Sequence, residues 1–289
     1  GGETLFALAE QFRARDPERL VHYEGIFNDR RYPGTSDMES RMYAKPAEIR
    51  RYLKRRPEKP FILCEYAHAM GNSFGNVDEY IALEDAYPQY QGGFIWDWID
   101  QGLASRFTEA ATGTAGRFAV GGDFDDRPND RYFCGDGLLF ADRSPSPKLW
   151  EAKHLYAPLR LRCQKDGVLV ENRRLFTGTD DLRFVWTLME DGLPIAEGHF
   201  TLEIPPGEGR FLRLELPPIG AGEGILDCRA ELIADTPWAK AGHEVAFGQA
   251  VIRPASRPAQ NLQPARVFTG MANIGVTMQR ARAIIDRRT

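Results

Sequence analysis

The sequence predicts two folds in succession: an α/β domain over residues 1–152 and an all-β domain over residues 153–253. In the first part, amphipathic helical segments alternate with short runs that are apolar on both faces, as in a parallel sheet covered by helices. In the second part, short alternating segments recur between turns rich in glycine, proline and aspartate, which is typical of an antiparallel sandwich. The length of 289 residues suits one large domain or two ordinary ones.

The composition excludes several classes of protein. Hydrophobic residues make up 43% and aromatic residues 11% of the chain, too much for a disordered protein. No apolar stretch approaches the roughly 18 residues of a membrane helix, so we expect no membrane partner. The net charge of −4 gives no electrostatic reason to bind nucleic acid. Four widely spaced cysteines and the lack of a secretory leader pattern favour reduced thiols in a cytoplasmic protein.

Helices and strands alternate through the first part. Residues 3–15 carry Leu5, Leu8 and Phe12 at helical spacing, and this helix is expected to stop before Pro17. Further helices are predicted at 45–54 and 77–86, and strands at 19–23, 38–43, 60–66 and 93–100. This order predicts about four strand units of a β/α architecture.

About seven short strands are predicted in the second part. They lie at residues 159–164, 168–175, 182–190, 195–204, 210–216, 224–233 and 244–253. Residues 254–289 carry six arginines and one acid, and we expect a linker or a disordered terminus there. The alternative for residues 277–288 is a basic amphipathic helix.

Glu65 ends the apolar run at 60–66. In a β/α barrel the carboxyl ends of the strands form the active-site face, so a carboxylate there indicates catalysis. A loop-capping or ion-paired acid is the alternative. Polar side chains crowd the next residues, including His68, Asn72 and Ser73. A sugar site requires such a density of hydrogen-bonding groups, because each hydroxyl needs a partner.

Two tryptophans occupy the end of the next apolar run. Trp96 and Trp98 alternate there with Asp97 and Asp100. Tryptophan faces suit the C–H faces of sugar rings. Because alternating strand residues point in opposite directions, one tryptophan is expected to face the core. We predict that Trp96 is the substrate platform.

Several motifs together carry a family resemblance. The segment ILCEYAHAMGNS at 62–73 resembles the nucleophile segment of family 2 glycoside hydrolases of the large bacterial β-galactosidase type. Residues 91–101, 121–124, 128–131 and 137–143 match that family as well. The resemblance spans about residues 3–253 and leaves the tail unmatched. It implies the C-terminal half of a TIM (β/α)8 barrel, about strands five to eight, followed by an immunoglobulin-like β-sandwich.

The resemblance also implies roles for individual residues in β-galactoside hydrolysis. Glu65 would be the nucleophile of a retaining reaction, and Tyr43 would help to break down the galactosyl intermediate. His68 would stabilise the transition state by contacts with sugar hydroxyls. Trp96, Asn72 and Phe133 would bind substrate.

Two metal ions are implied for the intact enzyme. A sodium ion would be held by the Phe133 carbonyl and by Asp136, where the family commonly has an asparagine. The additional charge of an aspartate is expected to strengthen cation binding. The magnesium ligands of the family have no counterparts in this sequence.

The second carboxylate of the reaction is missing from this sequence. Retaining glycosidases need an acid/base as well as a nucleophile, and in this family it stands in an Asn-Glu pair at the fourth barrel strand. That pair is absent here, and Glu24, Asp97 and Asp100 are expected to order the site rather than replace it.

Several interpretations remain open. The sequence is interpreted as the nucleophile half of a lactose-type β-galactosidase that is poorly active alone, and the intact enzyme is expected to be a homo-oligomer. The alternatives are a non-catalytic segment that assembles with an N-terminal partner, a related glycosidase of different sugar specificity, and an incomplete coding sequence. The second part contains no catalytic constellation.

Overall fold

The computed structural model describes residues 1–104, 118–255, 265–278 and 281–286. The chain forms two compact units, Gly1–Ala157 and Pro158–Thr289. Within the described ranges, no helix is both long enough and apolar enough to cross a membrane.

A three-stranded parallel sheet forms the centre of the first unit. Its strands are β1 (Glu39–Met42), β2 (Phe61–Tyr66) and β3 (Tyr90–Ile95), in the order β1-β2-β3. The register of β1 on β2 shifts after Arg41, so that Met42 lies opposite Glu65. The parallel order brings the carboxyl ends of all three strands to one edge of the sheet.

Within the described part of this unit, four α-helices accompany this sheet, and the second and third of them connect its strands. They are α1 (Glu3–Arg15), α2 (Pro46–Leu53), α3 (Val77–Ala86) and α4 (Pro147–Leu155). The start of α2 is stabilised because the Glu48 carboxylate accepts a hydrogen bond from the backbone N–H of Lys45, at 2.8 Å. Ile49 and Leu53 of α2 join Leu63 and Tyr66 of β2 in the buried core.

The predicted strand at 19–23 is wrong. Residues 20–23 join no ladder, because side chains bind much of their backbone. The N–H of Val21 donates to Asp37 Oδ2 at 2.6 Å, and that of Tyr23 donates to Ser36 Oγ at 3.2 Å. Among the described residues the sheet therefore has three strands and not four.

The predicted strand at 93–100 is shifted. β3 begins at Tyr90 and ends at Ile95, so the two tryptophans lie beyond the strand. The ladder ends there because the N–H of Asp97 turns away to the carbonyl of Asp136, at 2.7 Å. The Trp96–Asp97 peptide bond is cis. A short antiparallel pair, β4 (Leu103–Ala104) and β5 (Phe118–Ala119), follows.

Seven antiparallel strands in two sheets form most of the second unit. All seven strands lie close to their predicted positions: β6 (Leu159–Gln164), β7 (Gly167–Asn172), β8 (Leu182–Glu190), β9 (Leu193–Phe200), β10 (Gly209–Arg213), β11 (Gly224–Leu232) and β12 (Glu244–Arg253). The three-stranded sheet has the order β10-β7-β6, and the four-stranded sheet has the order β12-β11-β8-β9. Their buried side chains include Val170, Phe184 and Leu226.

The described residues 265–278 and 281–286 of the tail, where a linker or disordered terminus was expected, form a sheet and not the helix given as the alternative. Strands β13 (Arg266–Thr269), β14 (Asn273–Thr277) and β15 (Arg282–Asp286) form an antiparallel meander. A turn between Gly270 and Asn273 closes the first hairpin. Its strands are rich in valine, isoleucine and threonine, which favour extended backbone. Residues 279, 280, 287 and 288 of the predicted helix lie outside the described residues.

A buried charge lies at the amino-terminal end of β1. Glu39 is 2% exposed, and its carboxylate accepts two hydrogen bonds from Arg30, at 2.7 and 2.8 Å. Arg41 donates to the same group at 3.3 Å. Burial alone would raise the pKa of Glu39, but the two guanidinium groups hold this pKa below its ordinary value.

We predict that Glu39→Gln lowers the free energy of unfolding at neutral pH by about 1–3 kcal/mol, because it removes a buried, charge-assisted pair. Since the pKa of Glu39 is lower in the folded than in the unfolded chain, its stabilising contribution is present above the unfolded value and lost as the pH falls through the folded one. Denaturant unfolding should therefore show the two proteins converging below about pH 4.5, the ordinary value.

The exposed Glu58 provides the control, because Glu58→Gln should leave stability unchanged at every pH. A Glu39→Gln deficit that persists undiminished in acid would contradict this account.

Candidate active site

Glu65 lies at the carboxyl end of β2 and is half-buried. Its backbone carbonyl accepts a hydrogen bond from the N–H of Tyr43, at 2.9 Å. Tyr43 follows β1 directly and has a φ of 54°, in the left-handed region that non-glycine residues rarely adopt. The turn at this residue therefore joins the ends of β1 and β2.

The side chains of the same two residues also meet. The Tyr43 hydroxyl lies near the Glu65 carboxylate, so that the two groups interact electrostatically. Burial and this interaction with Glu65 raise the pKa of Tyr43 above its ordinary value. Tyr43 is consequently a neutral phenol at physiological pH, with a proton that it can donate.

His68 connects this pair to a second group of residues. Its ring meets that of Tyr43 edge-on, with centroids 6.0 Å apart, and stacks on Phe133 at 5.7 Å. Its Nε2 lies 3.7 Å from Asp136 Oδ2. His68 thus has three other predicted site residues, Tyr43, Phe133 and Asp136, as neighbours. The four residues come from three separate segments of the chain.

Asp136 holds the predicted tryptophan platform. It is 2% exposed, and its Oδ2 accepts a hydrogen bond from Trp96 Nε1 at 2.8 Å. The backbone of Trp96 is held as well, since its N–H donates to Tyr66 and its carbonyl accepts from Ala69, at 3.0 and 2.7 Å. Trp98, by contrast, is exposed.

A cleft of about 560 Å³ opens beside these residues. Glu65, Tyr43 and His68 lie next to its lining rather than in it, and Asn72 is exposed on the loop after β2. The cleft is lined by Trp96, Gln101, Leu103, Ala119, Val120, Gly121, Phe124, Asp126, Asn129, Asp130, Arg131, Phe133, Cys134 and Asp136.

The other acids near the strand ends are engaged in ordering the structure. Asp100 accepts from the N–H of Gly137 at 2.7 Å, and Asp97 accepts from Gln101 Nε2 at 2.6 Å. Glu24 accepts from the thiol of Cys64 at 3.5 Å. These contacts favour the ordering role expected for these three carboxylates.

Lys148 is a site residue that the sequence did not reveal. Its ammonium group, at the start of α4, donates to the carbonyl of Ala69 and lies 3.5 Å from that of Gly71. It thereby fixes the loop that carries His68. Pro147 preceded by Ser146 marks a helix start, but this pattern does not predict which distant loop the next side chain contacts.

Two family models match the chain. The model described as glycosyl hydrolases family 2, TIM barrel domain, covers residues 1–161, and the model described as beta-galactosidase, domain 4, covers residues 168–253. The chain belongs to glycosyl hydrolase family 2. The family and fold class expected from the sequence are confirmed, although the described strands of the first unit do not close a barrel.

Curated relatives of this family 2 chain are named as β-galactosidases. The chain is 45% identical to a beta-galactosidase of Halalkalibacterium halodurans over 95% of its own length and 27% of the relative's. It is 42% identical to Beta-galactosidase BgaC of Bifidobacterium adolescentis over 99% of its length, and 53% identical over 54% to the beta-galactosidase large subunit of Latilactobacillus sakei. It spans about a quarter of the length of these three proteins.

The contact between Tyr43 and Glu65 predicts a measurable titration. In Glu65→Gln, the phenol of Tyr43 should ionise at a lower pH than in the parent chain, because the negative charge that opposes ionisation is gone. Ultraviolet difference titration detects the ionisation of tyrosines. The part of the absorbance change that is lost in Tyr43→Phe is the contribution of Tyr43.

The conversion of exposed Glu58 to glutamine is the matched control and should leave the titration unchanged. Equal Tyr43 transitions in the parent and in Glu65→Gln would contradict the interaction between the two side chains.

Proposed function

We propose that this chain is the nucleophile-bearing part of a retaining β-galactosidase, with Glu65 as the nucleophile. The observation that carries the proposal is a half-buried carboxylate at the carboxyl end of a parallel strand, joined to Tyr43 by a backbone hydrogen bond and near the Tyr43 phenol, whose ring meets that of His68. Family 2 membership and the names of the curated relatives support the same reaction class.

The chemistry follows from these residues. In a retaining hydrolysis, the Glu65 carboxylate attacks the anomeric carbon of a terminal β-galactoside and the aglycone leaves as an alcohol. The Tyr43 phenol donates a hydrogen bond to this carboxylate, orients it and assists its departure when water cleaves the galactosyl ester. The indole of Trp96 provides an apolar face for the sugar ring, and His68 lies where it can contact hydroxyls. Asn72 and Phe133 are further proposed contacts.

The protonation of the leaving group requires a second carboxylate. The described carboxylates nearest to the strand ends are hydrogen-bonded to other groups, and the family's Asn-Glu pair has no counterpart in the sequence. Loss of a general acid costs about 10²–10⁴-fold in rate. We therefore infer that the chain alone hydrolyses galactosides poorly.

The residues beside the cleft fit a sodium ion. Asp136 Oδ1 is buried and has no hydrogen-bond partner among the described residues, so it is available as a ligand for a cation. Asp136 and the carbonyl of Phe133 would hold the ion, and when bound it would supply positive charge beside the sugar. For magnesium, no group of three or more ligating side chains occurs in the described parts of the chain.

A second candidate function is assembly with an N-terminal partner chain. Within the described residues, β1 and β3 each have a single strand neighbour. Apolar side chains beside the open sheet are uncovered, since Phe94 is 60% and Met42 45% exposed. Unpaired edges and exposed apolar groups favour pairing with another chain. A partner that completes the sheet would supply the missing acid, and a homo-oligomer of the whole enzyme in the cytoplasm remains our expectation.

We predict that the purified chain hydrolyses an aryl β-galactoside at least about 10²-fold more slowly than an intact family enzyme. Any residual rate should disappear in Glu65→Gln and persist in Glu58→Gln. The inferred incompleteness would be contradicted if the chain reached a rate near that of an intact enzyme and Glu65→Gln abolished this rate.

The same assay with aryl β-glucuronides and aryl β-mannosides tests the alternative sugar specificities.

Mixing the chain with a separately expressed N-terminal segment of a curated relative tests assembly. We expect a defined complex in size-exclusion chromatography and recovered hydrolysis that depends on Glu65. Two species that elute independently and stay inert would argue against assembly.

A further inference from the structure

The two carboxylate oxygens of Asp136 have different surroundings. Oδ2 accepts the indole hydrogen bond of Trp96 at 2.8 Å, whereas Oδ1 has no hydrogen-bond partner among the described residues. The side chain is 2% exposed. A buried carboxylate oxygen without a partner is unusual, because burial removes the water that would otherwise bind it. This oxygen is therefore available to a ligand that carries positive charge.

Neighbouring groups do not take this role. The imidazole of His68 is a nearby basic group, but its Nε2 lies 3.7 Å from Oδ2, beyond hydrogen-bond distance. The carboxylates of Asp97 and Asp100 accept hydrogen bonds from Gln101 and from the backbone of Gly137. Of these three acids, Asp136 is the one with a buried oxygen that has no partner in the described structure.

We propose that Asp136 is a positioning residue that couples a bound sodium ion to the indole of Trp96. Oδ1 binds the ion and Oδ2 accepts the hydrogen bond of the indole. Binding of sodium at Oδ1 therefore sets the orientation of the Trp96 indole at Oδ2. The proposal rests on the proposed function for its sodium ion and its sugar platform, but it concerns how these two features communicate.

The surrounding backbone makes such coupling effective. The main chain of Trp96 is held on both sides by Tyr66 and Ala69, which leaves the indole to be oriented by its side-chain contact. The backbone carbonyl of Asp136 accepts from Asp97, at 2.7 Å, so the carboxylate has little freedom except rotation about its own bonds. An ion on Oδ1 would fix that rotation and withdraw negative charge from the hydrogen bond to Trp96.

Fluorine NMR of the full 289-residue chain labelled with fluorotryptophan tests the proposal, since the sequence contains five tryptophans. Trp96→Phe identifies the Trp96 signal. Sodium chloride is titrated against choline chloride at constant ionic strength, without sugar. We expect a saturable shift of the Trp96 signal with sodium, while the signals of Trp186 and Trp238, in the second unit, stay constant.

Two variants separate the roles of the two oxygens. Asp136→Asn keeps an acceptor for the indole but lacks the charge, so sodium affinity should fall by about tenfold or more. Asp136→Ala should abolish the sodium response and displace the starting signal of Trp96. Asp142→Asn, at an exposed carboxylate, is the matched control and should respond as the parent does.

A Trp96 signal that does not respond to sodium in the parent chain would overturn the proposal, whether or not the variants fold. An equal response to choline, or an undiminished sodium response in Asp136→Asn, would overturn it too. Because hydrolysis is not measured, failure here leaves the proposed galactosidase activity standing, and failure of that activity leaves this coupling testable.

Discussion

The junction between the ends of β1 and β2 is the constraint on which the site depends. Parallel pairing brings these two strand ends to one edge, and the register shift after Arg41 sets Met42 opposite Glu65. The next residue, Tyr43, then donates its backbone N–H to Glu65 and holds its phenol near the Glu65 carboxylate. A carboxylate held in this way is positioned before any substrate arrives, which is what a nucleophile requires.

Much of the fold was predictable because its signals are local. Helix α1 ends where Pro17 requires, and the seven strands of the second unit follow from period-two alternation between turns. The strand predicted at residues 19–23 was wrong although their composition is that of a strand. Their backbone N–H groups donate to the side chains of Asp37 and Ser36 instead of to a neighbouring strand. The sequence of the tail did not determine its structure, because an arginine-rich segment with regular apolar residues is compatible with a helix as well as with a meander.

The sequence named several residues of the candidate site but not the contacts between them. Glu65 and Trp96 stand at strand ends, and family resemblance named Tyr43, His68, Phe133 and Asp136. The sequence does not show that Asp136 holds the indole of Trp96, or that Lys148 binds the loop after Glu65. These contacts join residues far apart in the chain, and only the tertiary fold specifies them. Asn72 is exposed on the loop after β2, and its contact with substrate stays a prediction.

Covalent trapping tests whether Glu65 is the nucleophile. A fluorinated galactoside with a dinitrophenolate leaving group needs no general acid, so it can react even where that acid is missing. We expect a fluorogalactosyl adduct on Glu65, located by mass spectrometry of peptides, in the chain supplied with the N-terminal segment. An adduct on another carboxylate, or equal labelling of Glu65→Gln, would contradict it.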